Sequence, residues 1–148
     1  MAGNARFLAV IFLGGIMALC LYGCAGEQKK AELEVADSEF SIRKEAEYMY
    51  VVDAKGVIRN LGPADVKRVE VTGYCRSCRE EIIDSQWYIS DYEKMEHQKD
   101  VISYLSAGSK SDFDFTEVAF YSANRSKKAP EKLPEDLEIS IESYEVVQ

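Results

Sequence analysis

Residues Val66–Cys75 read VKRVEVTGYC, and apolar and polar side chains alternate along this stretch. Val69, Val71 and Gly73 fall on one side of an extended chain, whereas mostly polar residues fall on the other. Side chains of a β-strand point alternately to the two faces of its sheet, so the pattern predicts a strand with one buried and one solvent-facing side. Antiparallel sheets that cover a core with one face have this arrangement.

The same alternation recurs on both sides of this stretch, separated by turn residues. We predict further strands within residues 47–60, 81–92, 101–105, 113–121 and 137–142. Turns are expected at Asn60–Pro63 and Ala107–Ser109. Residues 91–100 are expected to contain a short helical turn, and residues 124–136 to form a long polar loop. The sequence therefore predicts an all-β fold, a two-sheet antiparallel β-sandwich of about seven strands.

Two short motifs within this pattern, GVIRNLG and LSAGSKSDF, resemble those of FxLYD-type domains. Residues Gly56–Gly62 read GVIRNLG and are similar to the family's strand motif G-x-V-x-N-x-G, with Ile58 in place of the valine. Residues Leu105–Phe113 read LSAGSKSDF and are similar to the corner motif L-x-P-G-x-x-x-x-F, with Ala107 in place of the proline. The resemblance extends over residues 40–120, most of the chain after the N-terminal segment.

This resemblance implies an immunoglobulin-like β-sandwich of the kind found on bacterial envelope lipoproteins and membrane proteins. It also implies structural roles for three residues, since Asn60 and Gly62 correspond to the turn and Gly108 to the corner. The matching motifs contain no catalytic residue. Because one fold serves many functions, the resemblance alone does not name an activity.

The N-terminal segment has the composition of a bacterial lipoprotein signal. An apolar run over residues 7–23 ends in the tetrad Leu21-Tyr22-Gly23-Cys24, which resembles a lipobox, where the cysteine is diacylated and the chain is cut before it. The run is shorter than the ~20 residues that a spanning helix needs, and it suits a signal-peptide core. An uncleaved N-terminal anchor and a soluble secreted protein are the alternatives.

We therefore predict three parts: a signal peptide at residues 1–23, the lipidated Cys24 with a flexible tether at residues 24–38, and a β-sandwich domain at residues 39–148. Two or more acyl chains on Cys24 would anchor the protein stably to a membrane. Ala25 stands where an aspartate often retains lipoproteins in the inner membrane. The sequence thus favours the outer membrane, facing the periplasm, over the inner membrane.

The charge of the chain excludes one class of partner. It contains 26 acidic and 18 basic residues, a net charge of −8. Nucleic-acid phosphates require a basic surface, so we expect no nucleic acid to bind. The predicted tether is itself rich in charge, and Leu33 and Val35 are its only sizeable apolar residues. Such a stretch is not expected to order itself.

Cys75 and Cys78 form the one pair with potential chemistry, and three hypotheses apply. They can form a disulfide that closes a turn between strands in an oxidising compartment. They can act as a redox dithiol, although such pairs usually lie at a helix N-terminus that lowers the thiol pKa. They can bind a metal, which would require two further ligands from His97 and carboxylates. Strands predicted on both sides of the pair favour the disulfide.

Other candidate residues have simpler structural interpretations. The carboxylates of Asp112 and Asp114 are expected to face solvent, and His97 to lie exposed in a charged loop. Trp87 is expected to be the core aromatic residue of the sandwich. Several tyrosines on predicted strand faces are candidates for an exposed partner-binding patch. They are Tyr48, Tyr50, Tyr74 and Tyr88.

The sequence contains no serine–histidine–aspartate set, glycine-rich phosphate loop or metal-binding helix motif. We therefore predict no enzyme activity, no cofactor and no metal. The prediction is a lipid-anchored cell-envelope lipoprotein that acts as a non-catalytic binding or structural module, with an unidentified envelope protein as its partner. The alternative is an envelope thiol–disulfide protein that uses Cys75 and Cys78.

Overall fold

The computed structural model describes residues 30–89 and 93–147. These ranges contain seven strands and one short 3₁₀ helix. They are β1 (Leu33–Ala46), β2 (Met49–Asn60), β3 (Val66–Cys75), β4 (Trp87–Tyr88), the 3₁₀ helix (Glu96–Gln98), β5 (Lys99–Leu105), β6 (Lys110–Ser122) and β7 (Leu137–Val146). All pairs between these strands are antiparallel.

The strands form two sheets that enclose one core. The first sheet has the order β1-β2-β6-β4 and the second has the order β5-β3-β7. The predicted all-β antiparallel sandwich of about seven strands is thus confirmed. In a constant-type immunoglobulin domain the fifth strand pairs with the second. Here β6 takes that place beside β2, and β5 joins the second sheet beside β3.

The core lies between the inner faces of the two sheets. Val69 and Val71 of β3 were predicted to face inward, and each is 0% exposed. A Cβ atom on Gly73 would lie 2.8 Å from Val118 Cγ2, so β6 packs too closely here for a side chain. Thr72 was predicted on the polar face but is also buried. It is covered by the 3₁₀ helix, and its hydroxyl donates a hydrogen bond to the Gln98 carbonyl at 2.6 Å.

One end of the sandwich, which we call the corner end, is held together by Asn60. This side chain is 0% exposed, and its Nδ2 donates to the Ala64 carbonyl at 2.8 Å and to the Leu105 carbonyl at 3.3 Å. Its Oδ1 accepts from the Gly62 amide at 3.0 Å, and its backbone carbonyl accepts from the Gly108 amide at 2.9 Å. Asn60 therefore joins the turn after β2 to the loop before β6.

Glycines permit the close approaches of this corner. Gly108 has a φ of +71°, in the left-handed region where side chains other than glycine are strained. A Cβ atom on Gly62 would lie 2.5 Å from the Glu32 amide nitrogen, so the chain before β1 passes against this position. The turn and corner that the FxLYD-type motifs implied are both present at these positions.

The first strand corrects one predicted boundary. Strand β1 begins at Leu33, inside the stretch predicted as a flexible tether, and pairs with β2 from Leu33↔Asn60 onward. The few apolar side chains of this stretch, including Leu33 and Val35, pack against the core. The stretch is therefore ordered by backbone pairing with β2, and its amino-acid composition gives no indication of that pairing.

Residues 81–92 were predicted to form one strand, and this prediction is wrong for most of the described residues in the range. Only Trp87 and Tyr88 pair with β6. Ser85 has a φ of +63°, which breaks the extended backbone two residues earlier. The burial is also shifted by one residue, because Tyr88 is 3% exposed whereas Trp87 is half-buried at the edge of the core. The helical turn predicted within residues 91–100 corresponds to the 3₁₀ helix Glu96–Gln98.

Candidate functional site: a groove beside the disulfide

Cys75 and Cys78 form a disulfide at the other end of the sandwich, which we call the disulfide end. Their Cα atoms are 5.4 Å apart, and Cys75 is the last residue of β3. Cys75 is 6% exposed within the core, and the half-buried Cys78 packs against it. The bridge therefore fixes the point where β3 leaves its sheet.

The short loop closed by this disulfide and the residue that follows it, Arg79, contact both sheets. The Arg76 amide donates to the Asp136 carbonyl at 2.8 Å, just before β7 in the second sheet. The Arg79 amide donates to the Trp87 carbonyl at 3.0 Å, and the Arg79 carbonyl accepts from the Ile89 amide at 2.8 Å. Trp87 belongs to β4 of the first sheet. The disulfide loop thus ties the two sheets together at this end.

The surroundings of the pair favour a structural bridge. The cysteines follow a strand and lack the helix N-terminus that lowers the thiol pKa in redox dithiols. The Arg76 guanidinium donates from Nε to Glu138 Oε1 at 2.8 Å, and this carboxylate raises the pKa of Arg76. Because Arg76 is neutralised by Glu138, it contributes little to stabilising a nearby thiolate.

A groove of about 750 Å³ lies beside the disulfide loop. One wall contains the rings of Trp87 and Tyr121, whose centroids are 5.2 Å apart in an edge-to-face arrangement. The segment 128–135 also lines the groove and contributes Pro130, Leu133 and Pro134. Aromatic and proline rings have few rotatable bonds, so they offer apolar contact area at low cost in conformational entropy.

The segment 125–136, which we call the basic segment, is held in place at three points. At its start, Asp84 accepts hydrogen bonds from the Arg125 amide at 2.8 Å and the Ser126 amide at 3.0 Å. In its middle, the Lys132 carbonyl accepts from Trp87 Nε1 at 3.2 Å. At its end, the Asp136 amide donates to Ser77 Oγ at 3.3 Å.

Asp84 depends on its carboxylate charge for this role. The pKa of Asp84 is lowered, chiefly because the Arg125 amide donates to the ionised form. The hydroxyls of Ser85 and Ser126 lower the pKa further, whereas partial burial raises it. The wall of the groove is therefore set by side chains of the loop before β4, far away in sequence.

The sequence did not predict this groove. Residues 124–136 were recognised as a long polar loop, and Trp87 was assigned to the core. The contact between Trp87 and Lys132 joins residues 45 positions apart, and no local pattern records it. The signal that was available is the clustering of prolines and lysines in one loop of an acidic chain.

The predicted carboxylate pair lies elsewhere, near the middle of the sandwich. Asp112 and Asp114 line an open concavity of about 480 Å³ with Asp37 and Asp100. An Asp100 carboxylate oxygen accepts from the Asp114 amide at 3.1 Å. Across the ranges that the structure describes, histidine, cysteine and carboxylate side chains do not cluster in groups able to hold a metal ion.

His97 was predicted to be an exposed loop residue, and its side chain is 47% exposed. It has a partner nonetheless, since its Nε2 lies 2.7 Å from Glu117 Oε2. Glu117 has a φ of +62°, at a bulge where β6 inserts extra residues opposite Asp53 of β2. The Glu117 amide donates to Asp53 Oδ1 at 3.2 Å, which holds the bulge on β2.

Three of the tyrosines that were candidates for a partner-binding patch lie in different surroundings. Tyr88 is buried, and Tyr50 packs edge-to-face on Tyr121 with a centroid distance of 6.3 Å. Tyr74 lies on the second sheet between the cations of Arg76 and Lys94, at 4.7 and 4.9 Å from its ring centroid. Burial raises the pKa of Tyr74 and lowers the pKa of Lys94.

Cys24, the predicted lipidation site, lies outside the described residues together with the whole predicted signal peptide. In residues 30–89 and 93–147, no helix has the length and apolar character needed to cross a membrane. Neither a protein-family model nor a curated protein nor a solved structure matches this chain. The resemblance to FxLYD-type domains is therefore carried by the residues of its two motifs alone.

Proposed function

We propose that this protein is a lipid-anchored lipoprotein of the bacterial cell envelope whose β-sandwich serves as a non-catalytic binding module. The observation that carries the proposal is the groove at the disulfide end, where aromatic and proline rings lie beside charged side chains and hydrogen bonds fix the basic segment at three points. A cavity of this size lined by aromatic and proline rings is the common form of a binding site.

The N-terminal tetrad supports the membrane anchor. Leu21-Tyr22-Gly23-Cys24 has the large aliphatic residue and the small residue that a lipobox requires before its cysteine. The chain between Cys24 and the start of β1 at Leu33 can span at most about 30 Å when fully extended. An anchored domain would therefore work close to the membrane surface and meet other proteins of the same envelope.

The half-buried Cys78 supports a second candidate, an envelope thiol–disulfide protein. Access to a sulfur atom is one requirement for thiol–disulfide exchange, and Cys78 is the more accessible cysteine of the pair. Redox dithiols usually lie at a helix N-terminus, whereas this pair lies at the end of β3, so this is the weaker alternative. A structural bridge would be hard to reduce, so the reduction potential of the pair separates the two candidates.

Both parts of the main proposal can be tested in one experiment in living cells. In one variant, a photo-crosslinking amino acid replaces Lys128 at the groove. In a control variant, the same amino acid replaces Lys110, at the far end of β6. We expect a discrete protein adduct from position 128 only. Cys24→Ser should abolish lipidation, and globomycin, which inhibits the lipoprotein signal peptidase, should make the precursor accumulate.

The lipoprotein assignment and binding at the groove can fail independently in this experiment. Mature protein of unchanged size in the presence of globomycin would rule out the lipoprotein assignment while leaving the binding module open. An anchored protein that gives the same adducts from both positions, or none from either, would contradict binding at the groove.

A further inference from the structure

We propose that the groove at the disulfide end binds an extended, acidic segment of a partner protein. This inference deepens the proposed binding function, on which it rests, by naming the chemistry of the ligand. The occupant is inferred from charge complementarity, from the shape of the walls and from the way the basic segment is fixed in place.

Charge provides the first reason. The chain as a whole has a net charge of −8, whereas cations outnumber carboxylates around the groove, which is lined by Arg79, Lys128 and Lys132 and by Glu131 and Glu135. Of the basic residues lining the groove, Lys132 pairs with Glu135, whereas Arg79 and Lys128 form no ion pair within the described ranges. Complementary potentials guide encounter and select partners, so two unpaired cations at a groove favour an anionic ligand.

Shape provides the second reason. The cations line a concave site together with the rings of Trp87, Tyr121, Pro130 and Pro134. A groove of this kind admits a single extended chain, with its apolar side chains against the rings and its carboxylates at the edge. A lipid surface is flat on this scale and would be contacted by a convex patch. Tryptophan, tyrosine and arginine are also the residues that most often dominate binding energy at protein interfaces.

Preorganisation provides the third reason. Asp84, Trp87 and Ser77 each hold one part of the basic segment by a hydrogen bond to its backbone. A wall fixed before the ligand arrives loses less conformational entropy when the ligand binds. The lysine side chains of this wall remain exposed, because the anchoring bonds use backbone groups.

The test selects ligands without knowing the partner. The full chain, as purified from the cell and immobilised by a C-terminal tag, is used to select from random short peptides displayed on phage. We expect the selected peptides to be rich in aspartate and glutamate, interspersed with apolar residues. Their affinity should fall as salt is added, because exposed charge pairs are screened.

Variants then locate the binding. Lys128→Glu should weaken the selected peptides by about tenfold or more, since an attractive pair becomes a repulsive one. Lys110→Glu makes the same charge change on β6 away from the groove and should leave affinity within about twofold. Trp87→Phe retains a ring but removes the Nε1 donor to Lys132, and it should weaken binding through loss of the fixed wall.

Several results would overturn the inference. They are an absence of enrichment, enrichment of neutral or basic peptides, or equal losses in Lys128→Glu and Lys110→Glu. Binding to vesicles of phosphatidylcholine and phosphatidylglycerol that Lys128→Glu abolishes, with no peptide selected, would instead assign the basic segment to anionic lipid. Neutral peptides that still depend on Trp87 would leave the binding module intact and refute only the acidic ligand. Lipidation of Cys24 is measured independently of peptide binding, by the mass of the N-terminal peptide.

Discussion

The two ends of the sandwich are closed by opposite means. At the corner end, a single buried amide, Asn60, satisfies backbone groups in the turn that follows it and at the end of β5. At the disulfide end, a covalent bridge and the long basic segment surround an open groove. The amide that fixes the corner end is fully buried, whereas the groove at the disulfide end has exposed cations and the half-buried ring of Trp87. The binding proposed for this protein concerns the disulfide end alone, so the two ends can be compared by mutation.

The largest expected effect concerns the corner end. Asn60→Ala removes both donors and the acceptor of a fully buried amide, and it leaves the Ala64 and Leu105 carbonyls and the Gly62 amide without that partner. Each buried group left unsatisfied costs about 1–3 kcal/mol, so we expect a loss of about 3 kcal/mol or more in the free energy of unfolding. Urea denaturation followed by tryptophan fluorescence measures it.

The matched control for this prediction is Asn124→Ala, which changes the same residue type at an exposed position beside the disulfide end. It should alter the free energy of unfolding by less than about 0.5 kcal/mol. A loss under about 1 kcal/mol for Asn60→Ala would show that the corner end does not depend on the buried amide, and the contrast between the ends would collapse.

The second prediction concerns the bridge itself. Replacing both cysteines, Cys75→Ser with Cys78→Ser, opens a loop of only a few residues, and the chain-entropy model gives a loss of about 2 kcal/mol. The protein should still fold, because the loop retains its backbone hydrogen bonds to Trp87 and Asp136. We expect the adduct from position 128 to persist in the double variant.

Adding reductant to the wild-type protein gives a second measurement of what the bridge contributes to stability. Reduction should lower the free energy of unfolding by about the same amount as the double substitution, since both remove one bond. A double variant that folds with full stability yet no longer supports the function of the protein in cells would favour the thiol–disulfide alternative over a structural bridge.

The sequence predicted the turns of the corner end but not the groove at the disulfide end, and the reason is physical. The corner end lies in motifs of a few residues, where Asn60, Gly62 and Gly108 have backbone requirements that only a few residue types meet. Strand β3 was predicted because its alternation reports which face is buried. Both ends depend on contacts between residues 45 positions apart, Asn60 with Leu105 and Trp87 with Lys132, but the groove residues have no comparable local requirement that marks them. Periodicity carries no information about such pairs.

The two errors in the strand assignment have related causes. Leu33–Ser38 looked too polar to be ordered, yet the edge strand gains its hydrogen bonds from β2 and needs little apolar surface of its own. Residues 81–86 alternated like a strand, but Asp84 turns to the amides of the basic segment and Ser85 adopts a left-handed backbone. In both cases a tertiary contact outweighed the local pattern.

The smallest expected effect tests whether the groove wall responds to pH separately from the corner end. The pKa of Asp84 is lowered from its ordinary value of 3.8 by the amides of the basic segment. A group whose pKa is lower in the folded state stabilises that state above its unfolded pKa and loses this contribution as pH falls through its folded pKa. The contribution of Asp84 is therefore complete at neutral pH and disappears progressively below about pH 3.8.

Asp84→Asn should consequently be slightly less stable than the wild type at neutral pH, and the difference should shrink in acid. Amide hydrogen exchange at Arg125 and Ser126 should be faster in the variant, because the neutral amide oxygen accepts more weakly than a carboxylate. Asp112→Asn, an exposed aspartate outside the groove, serves as the matched control and should leave this exchange unchanged. If both variants behave alike, Asp84 does not hold the basic segment, and the groove at the disulfide end would lack the fixed wall that distinguishes it from the corner end.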